Sequence, residues 1–143
     1  VCRGTTSACT ILKLMIKRFL EWIKLKEKLH NVQKGPPLVK ERDLWWVSFG
    51  ENIGSELNGK SGLFSRPGLI LKKLSREFYL VAPTTSQKKD GSWYAEITQE
   101  SKYMYVCLHQ VRTIDHRRLS SRLGQIDSND FEKVKTAFLK LYK

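Results

Sequence analysis

Arg66-Pro67-Gly68-Leu69-Ile70-Leu71 sets an arginine and a proline at the mouth of an apolar run. Proline removes a backbone donor and fixes φ, so a strand holding this run must start at an edge or bend there. An arginine so placed is ill suited to a core. It is well suited to a phosphate, which its planar fork bonds through two N–H groups at once. The apolar residues predict a strand over 69–74.

The pattern continues on both sides. Residues 44–49 are aromatic and β-branched and predict a strand; 50–62, rich in glycine, serine and asparagine, predict a long loop. Trp45 and Trp46 point to opposite faces of their strand. One belongs in the core, and the other is free to stack on a base or to meet a second subunit. A strand over 77–82 follows a tight hairpin at Ser75-Arg76. Asp90-Gly91 is a hairpin signal in the polar turn 87–91. Further strands are expected over 93–98 and 103–111. Asp127 or Ser128 can cap a closing helix, with Phe131, Val134, Phe138 and Leu141 on one face. Short strands at close spacing predict a small, bent, mostly antiparallel β-barrel of the mainly β (α+β) class, with a C-terminal helix.

Residues 11–30 read as an amphipathic helix. Its stripe runs through Leu12, Ile16, Phe19 and Ile23 and is widened by Leu20, Trp22 and Leu29. The stripe is expected to pack on the domain that follows, although basic residues among it also suit a membrane surface or nucleic acid. Gly35-Pro36-Pro37 ends the helix. The expected plan is a poorly ordered upstream extension over 1–14, helix and linker over 15–37, and one domain over 38–143. Met15 is a plausible native start.

Net charge is +12. Residues 1–43 carry 10 basic and 4 acidic side chains and residues 44–143 carry 16 and 10, so the excess is not confined to one tail. A polyanionic partner is favoured: nucleic acid, an acidic protein or an anionic membrane. Cys2, Cys9 and Cys107 are odd in number and form no CxxC pair, which fits a reducing cytosol rather than a disulfide framework. Cys107 sits in an apolar stretch and reads as a small core residue. Lys13, Lys17 and Arg18 interrupt the run from Ala8, so no apolar span of about 18 residues crosses a membrane.

Several chemistries lack their residues. No GxGxxG or GxxxxGK[ST] is present, and no GxSxG. His30, His109 and His116 are scattered, without carboxylate or cysteine partners at metal spacing, so neither a metal nor a cofactor is expected. What remains is arginine, threonine, glutamine and an aspartate near strand ends. That set suits cleavage of RNA, whose 2′-hydroxyl supplies its own nucleophile. A guanidinium then stabilises charge on the phosphoryl oxygens and a hydroxyl donates to the same centre.

Four segments in order resemble the MazF/PemK family of toxin endoribonucleases over roughly the last 100 residues. They are DLWWVSFGENIGSELNGK at 43–60, RPGLIL at 66–71, LVAPTTS at 80–86, and CLHQVRTID at 107–115 with RRL at 117–119. The resemblance implies a Src-homology-3-like barrel shared with the PemK and CcdB toxins. It also implies metal-independent, sequence-selective cleavage of single-stranded RNA by the toxin of a type II toxin–antitoxin pair. Arg66 and Thr85 would be the catalytic pair. Ser55, Glu56, Gln110, Arg112 and Asp115 would face RNA, with Asp115 orienting Arg112; for Gln110, Arg112 and Asp115 the alternative is an amide and ion pair bracing the barrel. The implied partners are an acidic antitoxin and a second copy in a homodimer, with DNA met only through the antitoxin and the protein cytoplasmic. Two other readings share the barrel: a nucleic-acid-binding module that does not cut, and a gyrase-targeting toxin. Gly68 stands where the family usually has valine, which suggests a looser second strand. Ser55 stands where some members have histidine.

Overall fold

Two buried faces explain why the apolar runs lack a polar alternation. The computed structural model describes the backbone of residues 6–143 and the side chains of residues 18–143. On strand β2 (Ser65–Lys73), Leu69 and Leu71 enter one core and Ile70 the other. On β3 (Phe78–Thr85), Ala82 and Val81 divide the same way. β1 (Asp43–Ser48) sends Leu44 to the first core and Trp45 and Val47 to the second. A strand apolar on both faces must be covered on both.

The remaining elements are β4 (Tyr94–Gln99), β5 (Lys102–Cys107), a 3₁₀ turn (Leu108–Gln110), β6 (Arg112–Asp115), a second 3₁₀ turn (His116–Arg118), β7 (Leu119–Gln125) and two helices, α1 (Thr6–His30) and α2 (Ser128–Lys140). The antiparallel sheet runs β4-β5-β3-β2-β1-β7, with β6 also on β3. It curls because β3 changes partner along its length. Residues 78–81 pair with β6, and Thr84 and Thr85 pair with β5. Register shifts in β1–β7 and β2–β3 add bends.

The expected barrel and C-terminal helix are present, with differences at the edges. β2 begins four residues earlier than expected, so Arg66 and Pro67 lie inside it, paired with Val47 and Trp46. Gly68 does not loosen the strand. A Cβ there would lie 2.7 Å from Val81 Cγ1 and 3.0 Å from Val47 Cγ2, so neighbouring side chains already fill the space. Asp90-Gly91 makes no hairpin, because β3 and β4 are not paired. The tight hairpin joins β4 and β5 instead. Glu100 and Ser101 both take positive φ, 49° and 65°, as a type I′ turn requires. The strand expected over 103–111 breaks after Cys107, and the 3₁₀ corner sends the chain from β5 to β6.

α2 lies over the first core through Phe131 and Val134. Asp127 caps it, accepting from Asn129 N at 3.2 Å, and Asp130 Oδ2 accepts from Thr98 N at 3.0 Å. α1 is attached differently. Among its described side chains the buried one is Trp22, tilted against Phe64 with ring centroids 5.7 Å apart and seated on Gly50. Arg18 Nε reaches Glu51 Oε2 at 2.5 Å, and its guanidinium covers the Phe64 ring at 4.7 Å. Arg117 Nη1 donates to His30 O at 2.8 Å. The expected stripe is met in part: Trp22 and Leu29 turn inward beside Arg18 and Leu25, and Phe19 is half-buried, but Leu20 and Ile23 are 57% and 58% exposed; the side chains of Leu12 and Ile16 lie outside the described residues. The backbone of α1 shows no break at Met15; residues 1–5 of the expected extension lie outside the described residues.

Candidate RNA-facing site

β2 and β3 are neighbours, so the start of one lies beside the end of the other. That juxtaposition brings Arg66, the second residue of β2, and Thr85, the last of β3, to the same two adjoining cavities, of about 320 and 440 Å³. Arg66 is half-buried, and its Nε donates to Asn58 O in the loop 50–62. Burial lowers the guanidinium pKa, opposed by the nearby Cys107. Arginine begins so high that it stays charged. Thr85 Oγ1 accepts from Gln87 N at 3.2 Å, which leaves its O–H to donate.

The larger of these cavities has a marked charge. Lys60, Arg66 and Lys89 line it, and no carboxylate does. Trp46, 36% exposed, lines the smaller one, while Trp45 is buried with its indole N–H 3.3 Å from Asp43 Oδ2. The pair thus divides as strand geometry requires, and the open member stands beside Arg66. Cys107 is buried behind Arg66, and burial pushes its thiol up to about 11. At neutral pH it is a thiol, as expected of a core residue.

A third cavity, of about 590 Å³, continues beyond His109 and Gln110 and holds Ser55, Glu56 and Arg112. Ser55 and Glu56 sit at the exposed tip of the loop, where Glu56 Oε1 accepts from Ile53 N at 2.8 Å. Arg112 is half-buried; burial lowers its pKa, opposed by Glu56, and its Nη1 reaches Phe49 O at 3.4 Å. Gln110 uses both ends of its amide on the loop. Its Oε1 accepts from Leu57 N at 2.6 Å and its Nε2 donates to Ser55 O at 3.2 Å. It braces the loop that covers the site.

Asp115 lies apart from this trough. It does not orient Arg112. Both its oxygens are taken by Arg117, at 2.8 and 3.3 Å, and it caps the second 3₁₀ turn. Its cavity, about 170 Å³, lies against α1. Arg118 also lines that cavity; burial and the nearby Arg112 push its pKa down to about 10, and it donates to Ser48 O at 2.9 Å. The physical reason is local. The three-residue 3₁₀ turn that Asp115 caps brings Arg117, two residues on, and not Arg112, back onto the carboxylate.

Sequence reasoning missed Lys60, Lys89, Trp93 and His109, all of which line the 440 Å³ cavity. They come from the loop, the β3–β4 connection and the 3₁₀ corner; Lys60 and His109 lie within the segments 43–60 and 107–115, and Lys89 and Trp93 lie outside all four. The signal that could have found them was the lysine pair 88–89 close before Trp93. Among the described residues no three His, Cys, Asp or Glu side chains gather as metal ligands.

A family model described as PemK-like, MazF-like toxin of type II toxin–antitoxin system matches residues 40–142. Among solved structures, MazF (Form-I) from Deinococcus radiodurans aligns with a TM-score of 0.63 at 20% identity, covering 74% of this chain and 97% of that one. An endoribonuclease in complex with its cognate antitoxin from a mycobacterial species gives 0.58 at 14%, covering 73% and 95%. MazE-MazF (Form-II) from Deinococcus radiodurans gives 0.57 at 18%, covering 74% and 96%. No curated protein matches the chain significantly. α1 precedes the matched residues.

Proposed function

The chain belongs to the PemK-like, MazF-like toxins of type II toxin–antitoxin systems, and we propose that it acts as a metal-independent, sequence-selective endoribonuclease on single-stranded RNA. The observation that carries this reading is the meeting of Arg66 and Thr85 at a cavity lined by three cations and no carboxylate. In the proposed reaction the 2′-hydroxyl oxygen bonds to the adjacent phosphorus, and the bond to the 5′ oxygen breaks. The nucleophile loses a proton and the leaving oxygen gains one. Negative charge grows on the non-bridging oxygens between the two events. Arg66 meets that charge with a desolvated guanidinium, and Thr85 donates its free O–H to the same centre. The products are a 2′,3′-cyclic phosphate and a 5′-hydroxyl.

Partners follow from the same reading. Related structures include a toxin with its cognate antitoxin. An acidic antitoxin segment would occupy the cationic trough, and the +12 charge suits both it and RNA. The active form is a homodimer in the cytoplasm, and DNA is met only through the antitoxin.

Cleavage of RNA in EDTA, followed by identification of the new ends, tests the proposal. Arg66→Ala should slow cutting on the order of 100-fold or more while RNA binding falls much less. Wild-type rates from that variant, or 5′-phosphate products, would remove the assignment. Thr85→Val keeps the branched shape and removes the hydroxyl. It should reduce cleavage with little change in melting temperature; unchanged cleavage would leave Thr85 a turn residue that receives Gln87 N–H.

A further inference from the structure

His109 and Gln110, with Ser55 and Leu57, line both the 440 and the 590 Å³ cavities. The Gln110 amide is committed to the loop, but His109 is exposed and its ring lies flat on Trp93. The centroids are 4.8 Å apart and the planes 25° from parallel. Tyr94 meets the same imidazole edge-on at 5.3 Å. Trp93 is nevertheless 56% exposed. Its backbone is fixed, because its carbonyl accepts from Leu108 N at 2.8 Å and the next residue pairs with Cys107 in the sheet. A large aromatic surface is therefore held in place beside Arg66 and two lysines, and left open.

An aromatic platform next to cations matches a polymer that alternates flat bases with phosphates. An acidic peptide would use the cations and gain little from the indole. We propose that Trp93, backed by His109, is a stacking subsite for a nucleobase adjoining the phosphate held at Arg66. The subsite rests on the RNA-cleaving reading above and adds to it a place for one base. Every base has a π face, so the subsite fixes where the strand lies more than which base it carries. His109 preorganises the indole, which lowers the ordering needed on binding.

The test starts by mapping the cut site of the wild-type protein. A 2′-O-methyl oligoribonucleotide spanning that site, which cannot be cleaved, then serves as the binding probe. Trp93→Leu should weaken its affinity roughly tenfold or more, and Trp93→Phe should recover most of the loss. A series of probes with one abasic residue walked along the strand should show a matching loss for wild type at a position beside the cut. Trp93→Leu should show no additional loss at that position. Equal affinities of wild type and Trp93→Leu, or an abasic loss that persists in full in Trp93→Leu, would overturn the subsite while leaving cleavage intact. The wild-type abasic series needs no variant to fold, and if no position loses affinity the subsite also falls. A wild-type protein that neither cuts nor binds RNA would remove the underlying reading and the subsite together.

Discussion

The two helices hold to the barrel by opposite means. α2 buries Phe131 and Val134 in a continuous apolar core and adds a cap and one backbone tie. Among its described side chains α1 buries one indole, which Arg18 and Arg117 bracket, while Leu20 and Ile23 stay in water. The first mode makes the helix part of the fold. The second makes it an addition that grips the start of the site loop: Trp22 on Gly50, and Arg18 on Glu51. The matched family region begins after α1, in keeping with that division.

The largest effect should come from α2. Phe131→Ala opens a cavity in the shared core and should cost about 3–5 kcal/mol, read from urea unfolding. A loss under about 1 kcal/mol would mean that α2, too, is only attached. Removing residues 1–34 should be milder. The melting temperature should fall by several degrees, and a folded protein with detectable specific cleavage should remain, since among the described side chains of α1 only Trp22 is buried. Complete loss of cleavage by a truncated protein that is still folded and dimeric would show that α1 helps to build the site.

The smallest effect concerns pH. Hydrogen bonds from the Arg117 side chain hold the Asp115 carboxyl below its ordinary value of 3.8. The folded pKa is depressed, so the stabilisation is present above that ordinary value and lost as pH falls through the folded one. Asp115 is linked through Arg117 to the end of α1. Hydrogen-exchange protection at the last turn of α1, relative to the intrinsic rate at each pH, should therefore fall below about pH 4, before the barrel unfolds. Asp115→Asn should exchange quickly at neutral pH too. Identical exchange in the two proteins at pH 7 would detach Asp115 from the helix.

How far the sequence could be read depended on burial. β2 and β3 were legible because burial on both faces leaves an unbroken apolar run. The true start of β2 was not, because Arg66-Pro67 resembles a boundary and belongs instead to the mouth of a cavity. β7 passed unseen because Ser120, Ser121 and Arg122 face solvent and give it no alternation. The Glu100-Ser101 turn lacks the glycine or asparagine that usually marks positive φ. Arg66 and Thr85 are paired only through the resemblance of their segments to the MazF/PemK family. Trp93 and His109 could not be, since a 3₁₀ corner brings them together and no periodicity encodes a corner.

Gly50 ties the evolution of one segment to another. It holds φ at 92°, and a Cβ there would fall 2.4 Å from the Trp22 ring. Any larger residue would strain the turn and evict the indole at the same stroke. A single mutation at the loop's first hinge would thus act as a deletion of the helix without removing a residue of it. Libraries that diversify the loop to probe the proposed RNA site must keep this glycine, or they will select variants for how they cope with a displaced helix rather than for what the loop binds.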